Sequence, residues 1–373
     1  MNAFASHDPR TLKQRITGSL HHYFRNAHYR AVLSRYKFVH VMNNGLHSAG
    51  VVEFVNNNFD PAEHAFVFPI STWATRQRLA HTPNVYEFDI SSLDPDGPYR
   101  IIFHGLFQDE VIDYLDRTPR LVKNSNWFVW GGDLYNAPSD AKNDRVRRMF
   151  GGVITSFDQD VYTRRYGKNT FYDAAYPHEM TPDMVDAAAV DRVPGRIHIQ
   201  INNSADETTL DMLDQLARFK DENIKVSTVL SYISFRQADR RAEILRKGFD
   251  LFGDKFNPMM KFLSKSEYAT HLASVDVYIS NQDRQQGNGN AAFICGLGGK
   301  VFVKSDTPVY QKYAALGIRY FDTYDIPGLS LEELAARDPA EREETMARVL
   351  ERMSEPFKVR QWSELFKALE SRR

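Results

Sequence analysis

The chain has 373 residues, of which 42% are hydrophobic, and its 47 basic and 48 acidic side chains leave a net charge of −1. This length is typical of two domains, and the apolar content suffices for two cores. The near-neutral balance argues against a nucleic-acid-binding protein, which would carry a surplus of Lys and Arg. A single cysteine, Cys295, cannot form an internal disulfide. Because no apolar stretch is of the signal-peptide or membrane-spanning type, the sequence predicts a cytoplasmic protein.

Residues 1–35 differ from the rest of the chain in charge. Six Arg and Lys side chains face one acid, Asp8, and apolar residues such as Leu20, Phe24 and Ala31 recur at helical spacing. A basic amphipathic helix with aromatic side chains can lie on an anionic membrane surface. The alternative is a helix that packs on the first domain.

Residues 36–180 alternate between short apolar runs and amphipathic stretches. The pattern predicts strands at 37–42, 65–70, 85–90, 99–104, 126–130, 152–156 and 170–174, with helices at 47–55, 109–115 and 144–149. Such an alternation is typical of a doubly wound, mostly parallel sheet. We therefore expect a Rossmann-like domain here.

A second series follows a proline-containing stretch at 177–194, which is the best candidate for a linker. Residues 195–330 are predicted to form a second Rossmann-like domain, and residues 331–373 to be C-terminal helices. The strands of this domain are expected at 196–201, 225–233, 258–263, 275–279 and 301–303, and its helices from about 206 and at 239–248, 266–274 and 291–297.

Two doubly wound halves joined by a linker leave a cleft at the carboxyl ends of both sheets, where open α/β sheets bind their ligands. This is the α/β layout called GT-B. Glycosyltransferases, some sugar-nucleotide epimerases and glycogen phosphorylase share it, so the architecture alone does not choose a function.

The stretch from Val275 to Tyr310 combines a strand, a loop rich in Gly and Asn, a short helix and a second strand. This order places backbone N–H groups and a helix N-terminus against a phosphate. Arg284 supplies positive charge, and the other candidates are Gln285, Gln286, Gly287, Asn288, Gly289 and Asn290. The alternative is an ordinary βα turn, because the loop has neither the dinucleotide fingerprint nor the Walker pattern.

Four motifs in combination carry a family resemblance. They are FHG-L-F at Phe103–Phe107, W-x-x-WGGDLY at Trp127–Tyr135, NSAD at Asn203–Asp206 and DRQQGNGN at Asp283–Asn290. In this order they resemble the bacterial 4-acetamido-4,6-dideoxygalactose transferases of enterobacterial common antigen synthesis. Enzymes of that family move the sugar from its dTDP form to a lipid-linked saccharide. The resemblance therefore implies a dTDP-sugar donor and an undecaprenyl-diphosphate-linked acceptor.

The donor site follows from the resemblance and the GT-B layout together. GT-B transferases generally stabilise the leaving diphosphate with basic side chains and helix N-termini, so neither a metal nor another cofactor is expected. Asn203 and Ser204 are candidates for a facing wall, although Ser204 can instead cap a helix with Glu207. Tyr232 ends a predicted strand and is a candidate for stacking on the nucleobase. The pair of glutamates that holds the ribose in many retaining GT-B enzymes is missing.

His104 and Asp133 are the candidates for a catalytic base. Both end predicted strands on one wall of the cleft, and a histidine titrates in the range that a base for a hydroxyl group needs. Asp133 could also orient His104 or bind a sugar hydroxyl. The alternatives are a hydrogen bond from His104 to the neighbouring loop and an Asx-turn at Asp133. A retaining reaction would rely on the leaving phosphate instead, and the sequence leaves this choice open.

These observations predict a metal-independent GT-B glycosyltransferase, with residues 36–180 on the acceptor side and residues 195–330 binding a nucleotide sugar. It would move an amino-deoxysugar to a lipid-linked saccharide in cell-surface polysaccharide synthesis, as a peripheral enzyme on the inner face of the cytoplasmic membrane. The alternatives are a transferase with another donor or a protein acceptor, a GT-B sugar-nucleotide epimerase, and a non-catalytic nucleotide-binding scaffold.

Overall fold

The computed structural model describes residues 26–43, 47–69, 73–177, 180–201, 207–231, 237–284 and 286–372. These residues form two compact units. The first contains residues 26–155, 162–173 and 366–372, and the second contains residues 156–161 and 174–365. The stretch 177–194, expected as a linker, belongs to the second unit, and the chain returns to the first unit after residue 365.

The first unit is built on a parallel sheet. Its strands are β1 (Phe38–Met42), β2 (His64–Phe68), β3 (Val85–Glu87), β4 (Arg100–His104), β5 (Ser125–Phe128), β6 (Gly152–Ile154) and β7 (Phe171–Tyr172). They lie in the order β3-β2-β1-β4-β5-β6-β7, and the strand pairs are parallel. Every residue of β1, β2 and β5 is buried. Strands buried on both faces read as near-continuous apolar runs, which is why the sequence pattern located them.

Local capping explains where the first unit departs from the predicted bounds. The strand expected at 85–90 ends at Glu87, because the Asp89 side chain accepts from Ser91 N–H and starts a 3₁₀ turn. The helix expected from 144 begins at Ala141, because Asp140 caps it through Asn143 N–H. The helices of this unit are α1 (26–33), α2 (Ser48–Asn58), α3 (Trp73–Leu79), α4 (Asp109–Arg117), α5 (Pro119–Lys123), α6 (Gly132–Tyr135) and α7 (Ala141–Met149), and α8 (Gln159–Tyr166) begins in the second unit and ends in the first.

Helix α1 is the described end of the basic N-terminal region, and it packs on the first unit. Leu33 is fully buried, and the Tyr29 ring stacks on Phe88 at a centroid distance of 4.3 Å. The Asn26 amide donates to Ser91 Oγ at 3.1 Å. This part of the region therefore follows the packed alternative, while residues 1–25 lie outside the described residues.

The second unit repeats the architecture. Its strands are β8 (Ile197–Ile201), β9 (Ile224–Val229), β10 (Phe256–Met259), β11 (Val277–Ser280), β12 (Lys300–Val303) and β13 (Phe321–Asp322). They lie in the order β10-β9-β8-β11-β12-β13 with parallel pairing. Its helices are α9 (Glu207–Leu216), α10 (Ala238–Phe252), α11 (Lys265–Ala273), α12 (Asn288–Gly296), α13 (Pro308–Ala315), α14 (Leu331–Ala335) and α15 (Pro339–Met353), and α16 (Glu355–Ser371) crosses into the first unit.

The third strand of the second unit starts and ends earlier than expected. The prediction was 258–263, whereas β10 ends at Met259. The Ser264 side chain accepts from Glu267 N–H, and the Glu267 side chain accepts from Ser264 N–H. This capping box starts α11 and leaves residues 260–263 as an exposed, irregular connection.

Each sheet reverses its winding direction once, between β1 and β4 in the first unit and between β8 and β11 in the second. At such a point the loops leave the two neighbouring strands in opposite directions and open a crevice at their carboxyl ends. His104 ends β4, and the Gly- and Asn-rich loop follows β11. The fold thus places the main candidate residues at the position in each unit where ligands bind most often. None of the described helices is long and apolar enough to cross a bilayer.

Candidate functional site

His104 lies at the end of a buried chain of three histidines in the first unit. His40 Nδ1 lies 2.9 Å from His104 Nε2, and His40 Nε2 lies 3.1 Å from His64 Nδ1. All three side chains are at most 1% exposed. The His104 ring thus bonds to a neighbouring strand, while its main-chain carbonyl accepts from the Asn43 amide at 2.8 Å.

Burial keeps this chain uncharged at neutral pH. It lowers the pKa of His104 to about 3 and that of His64 to about 4. The pKa of His40 falls well below 6.5, first through burial and then through repulsion from the two neighbouring rings. A group with so low a pKa is a weak base at pH 7, so the geometry favours a structural role for the His104 ring.

Asp133 joins three segments at the carboxyl ends of β4 and β5. Its Oδ2 accepts from the Trp127 indole N–H at 2.7 Å and from Leu106 N–H at 3.1 Å, and its Oδ1 accepts from Trp130 N–H at 2.9 Å. The residue is 2% exposed. Burial raises the pKa of Asp133, and these hydrogen bonds oppose the rise. Asp133 therefore organises the loops around it, by bonds other than the Asx-turn that was the structural alternative.

Arg147 on α7 completes this arrangement, and the sequence reasoning missed it. Its guanidinium is 1% exposed and donates to the main-chain carbonyls of Leu106 at 3.1 Å and Asp133 at 3.2 Å. It also donates to the Asn143 side chain at 2.6 Å. A buried arginine needs several acceptors, and here the loops supply them. Sequence alone offers no signal for it, because Arg147 stands among other basic residues on an otherwise ordinary helix.

In the second unit, the loop after β11 leads directly into the N-terminus of α12. Gly287 has a φ of +66°, which a residue with a side chain rarely adopts, and no side chain caps the helix. The first turn contains no acidic residue. The amide Nδ2 of Asn288 is buried with no hydrogen-bond acceptor among the described residues. Helix-start N–H groups also lack intrahelical acceptors, so this end of α12 favours an anion.

Charged side chains surround the same loop. Arg284 is partly exposed in the loop before the helix. Lys304, which follows β12, forms an ion pair with Asp283. Lys304 was not among the predicted residues. The sequence shows that Lys304 directly follows an apolar strand, whereas its place beside this loop depends on the pairing of β12 with β11. Arg284 and Lys304 thus bring positive charge to this loop, beside the carboxylate of Asp283.

Of the remaining predicted donor residues, the structure describes three and leaves four outside its described ranges. Gln286 and Asn290 are held by neighbours, because Gln286 Oε1 accepts from the Gln282 amide at 3.0 Å and the Asn290 amide donates to Tyr268 Oη at 2.7 Å. Gly289 lies in the first turn of α12. Asn203, Ser204, Tyr232 and Gln285 lie outside the described residues. Among the residues that the structure describes, no group of His, Cys, Asp and Glu could hold a metal ion.

The sequence profile of a glycosyltransferase family decides the class of this protein. The family is described as 4-alpha-L-fucosyltransferase, glycosyl transferase group 56, and its profile matches residues 26–326. The chain belongs to this family. Membership confirms the prediction of a glycosyltransferase, and the matched range includes His104, Asp133 and the loop before α12.

Solved structures share the fold at low sequence identity. The Anabaena protein HepE in complex with UDP and glucose has a TM-score of 0.64 at 12% identity, over 89% of this chain and 100% of that chain. A UDP-forming α,α-trehalose-phosphate synthase from Burkholderia xenovorans has a TM-score of 0.60 at 11% identity, over 90% and 99%. The N-terminal domain of Candida albicans trehalose-6-phosphate phosphatase has a TM-score of 0.62 at 12% identity, over 89% and 96%. The predicted GT-B fold is confirmed.

The Asp133→Ala variant tests the organising role of this carboxylate. We expect the free energy of unfolding to fall by about 3 kcal/mol, because three buried N–H donors lose their acceptor. The measurement is urea unfolding followed by tryptophan fluorescence, to which Trp127 and Trp130 contribute from the first unit. The matched control is Asp113→Ala, whose exposed ion pair with Lys142 should contribute less than about 1 kcal/mol. Equal losses in the two variants would contradict this role.

The free energy of unfolding should fall as the pH is lowered, because several histidines are buried in their uncharged form. Besides the chain of three, burial lowers the pKa of His198 to about 3 and that of His271 to about 4. Their folded pKa values lie below the unfolded value of about 6.5, so the stabilisation is present above pH 6.5 and is lost as the pH falls towards 4. Each such histidine contributes a slope of about 1.4 kcal/mol per pH unit.

Urea unfolding between pH 7.5 and pH 5 measures this slope. The His40→Gln variant should take up about one proton fewer on unfolding, so its slope should be lower by about 1.4 kcal/mol per pH unit. The slope reports only the number of protons taken up on unfolding, so it is informative even when the variant is less stable overall. A free energy of unfolding that stays constant over this range would show that the histidines become protonated within the folded protein.

Proposed function

We propose that this glycosyltransferase moves 4-acetamido-4,6-dideoxygalactose from its dTDP form to a lipid-linked saccharide. The observation that carries the proposal is the uncapped N-terminus of α12, at the winding reversal of the second sheet and next to Arg284 and Lys304. The second unit would bind the nucleotide sugar, and the first unit the acceptor. Residues 203, 204, 232 and 285 stay part of the proposed donor site.

The choice of sugar rests on two comparisons of the same sequence. The motifs resemble transferases of 4-acetamido-4,6-dideoxygalactose, and the description of the matching family names a fucosyl group. Fucose is 6-deoxygalactose, so both names denote 6-deoxyhexoses with the galacto arrangement, and the proposed sugar carries an acetamido group in place of the hydroxyl at C4.

Donor chemistry would depend on stabilising the departing diphosphate. As the bond between the anomeric carbon and the phosphate oxygen breaks, negative charge builds on that oxygen. The N–H groups at the start of α12 and the Arg284 guanidinium are the groups of this loop that can receive it. Asn288 Nδ2, buried without an acceptor among the described residues, would gain one.

For the acceptor we propose a route without an enzymatic base. The acceptor hydroxyl forms a bond to the anomeric carbon on the face from which the phosphate leaves, its proton passes to the departing phosphate oxygen, and dTDP is released. The configuration of the sugar is then retained. Two contacts support this route over the base first expected. The His104 ring is buried against His40, and both oxygens of Asp133 are occupied by main-chain and indole donors.

The Arg284→Ala variant tests the donor site. We expect the turnover number to fall by about 10²- to 10³-fold, the range for loss of one preorganised charge-stabilising group. The fold should be unaffected, because Arg284 is partly exposed in a loop. Turnover is measured with the purified dTDP-sugar, and the control is Arg246→Ala, an exposed arginine on α10. Turnover within a few-fold of wild type would remove Arg284 from the site.

A lipid-diphosphate acceptor stays in the bilayer, so the enzyme would have to reach the membrane surface. The connection after β10 offers a contact, because Met260, Phe262 and Leu263 are 42%, 63% and 38% exposed. Lys261 lies between Met260 and Phe262, Lys265 lies two residues after Leu263, and both lysines are exposed. Apolar side chains that enter the interface, together with lysines that attract anionic lipids, are typical of peripheral membrane contacts. The connection leaves the same sheet edge as the loop before α12, three strand spacings or about 14 Å away.

Vesicle flotation tests this contact. With vesicles containing phosphatidylglycerol at low salt, the wild type should float, and Phe262→Ser with Leu263→Ser should lower the bound fraction several-fold. The matched control is Phe249→Ser, which replaces a half-exposed phenylalanine near the C-terminal end of α10. A further arm lacks residues 1–25. If only that truncation abolishes binding, the contact belongs to the N-terminal region and the connection after β10 is not involved.

A further inference from the structure

Phe107 is the most exposed large apolar side chain of the first unit among the described residues. It is 51% exposed, whereas Leu106 before it is 3% exposed. It lies between the end of β4 and the start of α4, at the winding reversal of the first sheet. Phe107 thus places an exposed aromatic ring at the edge where open α/β sheets bind their ligands.

Two glycines at neighbouring strand ends make room for this ring. Gly105 has a φ of +80°, and a Cβ atom there would lie 2.7 Å from Phe107 Cε2. A Cβ atom at Gly132 would lie 3.3 Å from Phe107 Cε1. Opposite edges of the ring therefore rest on the backbone of the two segments that follow β4 and β5. A side chain at Gly105 would displace the ring.

The main chain before the ring is fixed on both sides. Leu106 N–H donates to Asp133, and its carbonyl accepts from Arg147 at 3.1 Å. The main-chain N–H of Trp130 donates to Asp133, and the Trp130 ring meets Phe107 edge to face at a centroid distance of 6.0 Å and an angle of 72°. The buried network around Asp133 thus holds an aromatic surface in one position. A preorganised ring loses little conformational entropy when a ligand stacks on it.

A depression adjoins the ring. Apolar side chains such as Val41 and Val111 line it together with the carboxamides of Asn43 and Gln108. An aromatic ring, apolar walls and the Gln108 carboxamide match the chemistry of a pyranose, which has an apolar C–H face and hydroxyl groups around its rim.

We propose that Phe107 is the stacking platform for the terminal sugar of the acceptor. The inference rests on the proposed function, because it assigns a saccharide acceptor to the first unit. Asp133 and Arg147 act as positioning residues that hold the platform, and the two glycines let it lie against the backbone. The recognised group is a saccharide ring, whatever carrier it is attached to.

Phe107→Ala tests the proposal through a split between acceptor and donor readouts. The ratio kcat/KM for the acceptor should fall about 10- to 100-fold, mainly through KM, the size of effect that loss of an apolar substrate contact produces. Transfer of the sugar to water and the affinity for the donor should stay at the wild-type level. Phe107→Trp keeps a ring and should restore most of the acceptor kcat/KM. Phe249→Ala, a half-exposed phenylalanine of the second unit, serves as the control.

Saccharide binding is also measured directly, by saturation-transfer NMR with the methyl glycosides of glucose, galactose and N-acetylglucosamine. The wild type should give a signal with at least one of them, and Phe107→Ala should lose it. An unchanged KM for the acceptor in Phe107→Ala, or equal loss of acceptor transfer and donor hydrolysis, would overturn the platform. So would a wild type that binds no saccharide. A wild type that binds saccharides through Phe107 but transfers no sugar would instead overturn the proposed function and leave the platform standing.

Discussion

Parallel pairing is the constraint on which both units depend. When all strands of a sheet run in one direction, their carboxyl ends meet at one edge, and reversal of the winding opens that edge to a ligand. The reversal lies between β1 and β4 in one unit and between β8 and β11 in the other. Helices or loops of any sequence could connect the strands, so the residues placed at these edges are free to serve function.

The two units use that edge in different ways. In the first, the Asp133 carboxylate is buried beyond the strands and accepts from the main-chain N–H groups of Leu106 and Trp130. What remains exposed is an aromatic ring, Phe107. In the second, the edge presents main-chain N–H groups and cations beside Gly287. An apolar surface with amides suits a sugar, whereas amide dipoles with positive charge suit a diphosphate.

The sequence predicted the strands well because buried parallel strands are short apolar runs, and it placed His104 and the loop before α12 at the correct strand ends. It could not predict the partners. The contact of His40 with His104 requires the pairing of β1 with β4, which are separated by two other strands in the sequence. The same holds for Lys304 and Asp283, which meet only because β11 and β12 are neighbours. Hydrophobic periodicity shows where strands occur, whereas their pairing depends on the tertiary fold.

The central claim is that the start of α12 binds the diphosphate of a nucleotide sugar. The most direct measurement is the thermal unfolding of the purified protein with dTDP, UDP and GDP, with no acceptor and no transfer required. A ligand that binds only the native state raises stability by about 2.7 kcal/mol at 100 times its Kd. The account predicts that dTDP raises the Tm of the wild type more than UDP or GDP does, and that the shift shrinks in Arg284→Ala. A Tm that no nucleoside diphosphate changes would contradict it.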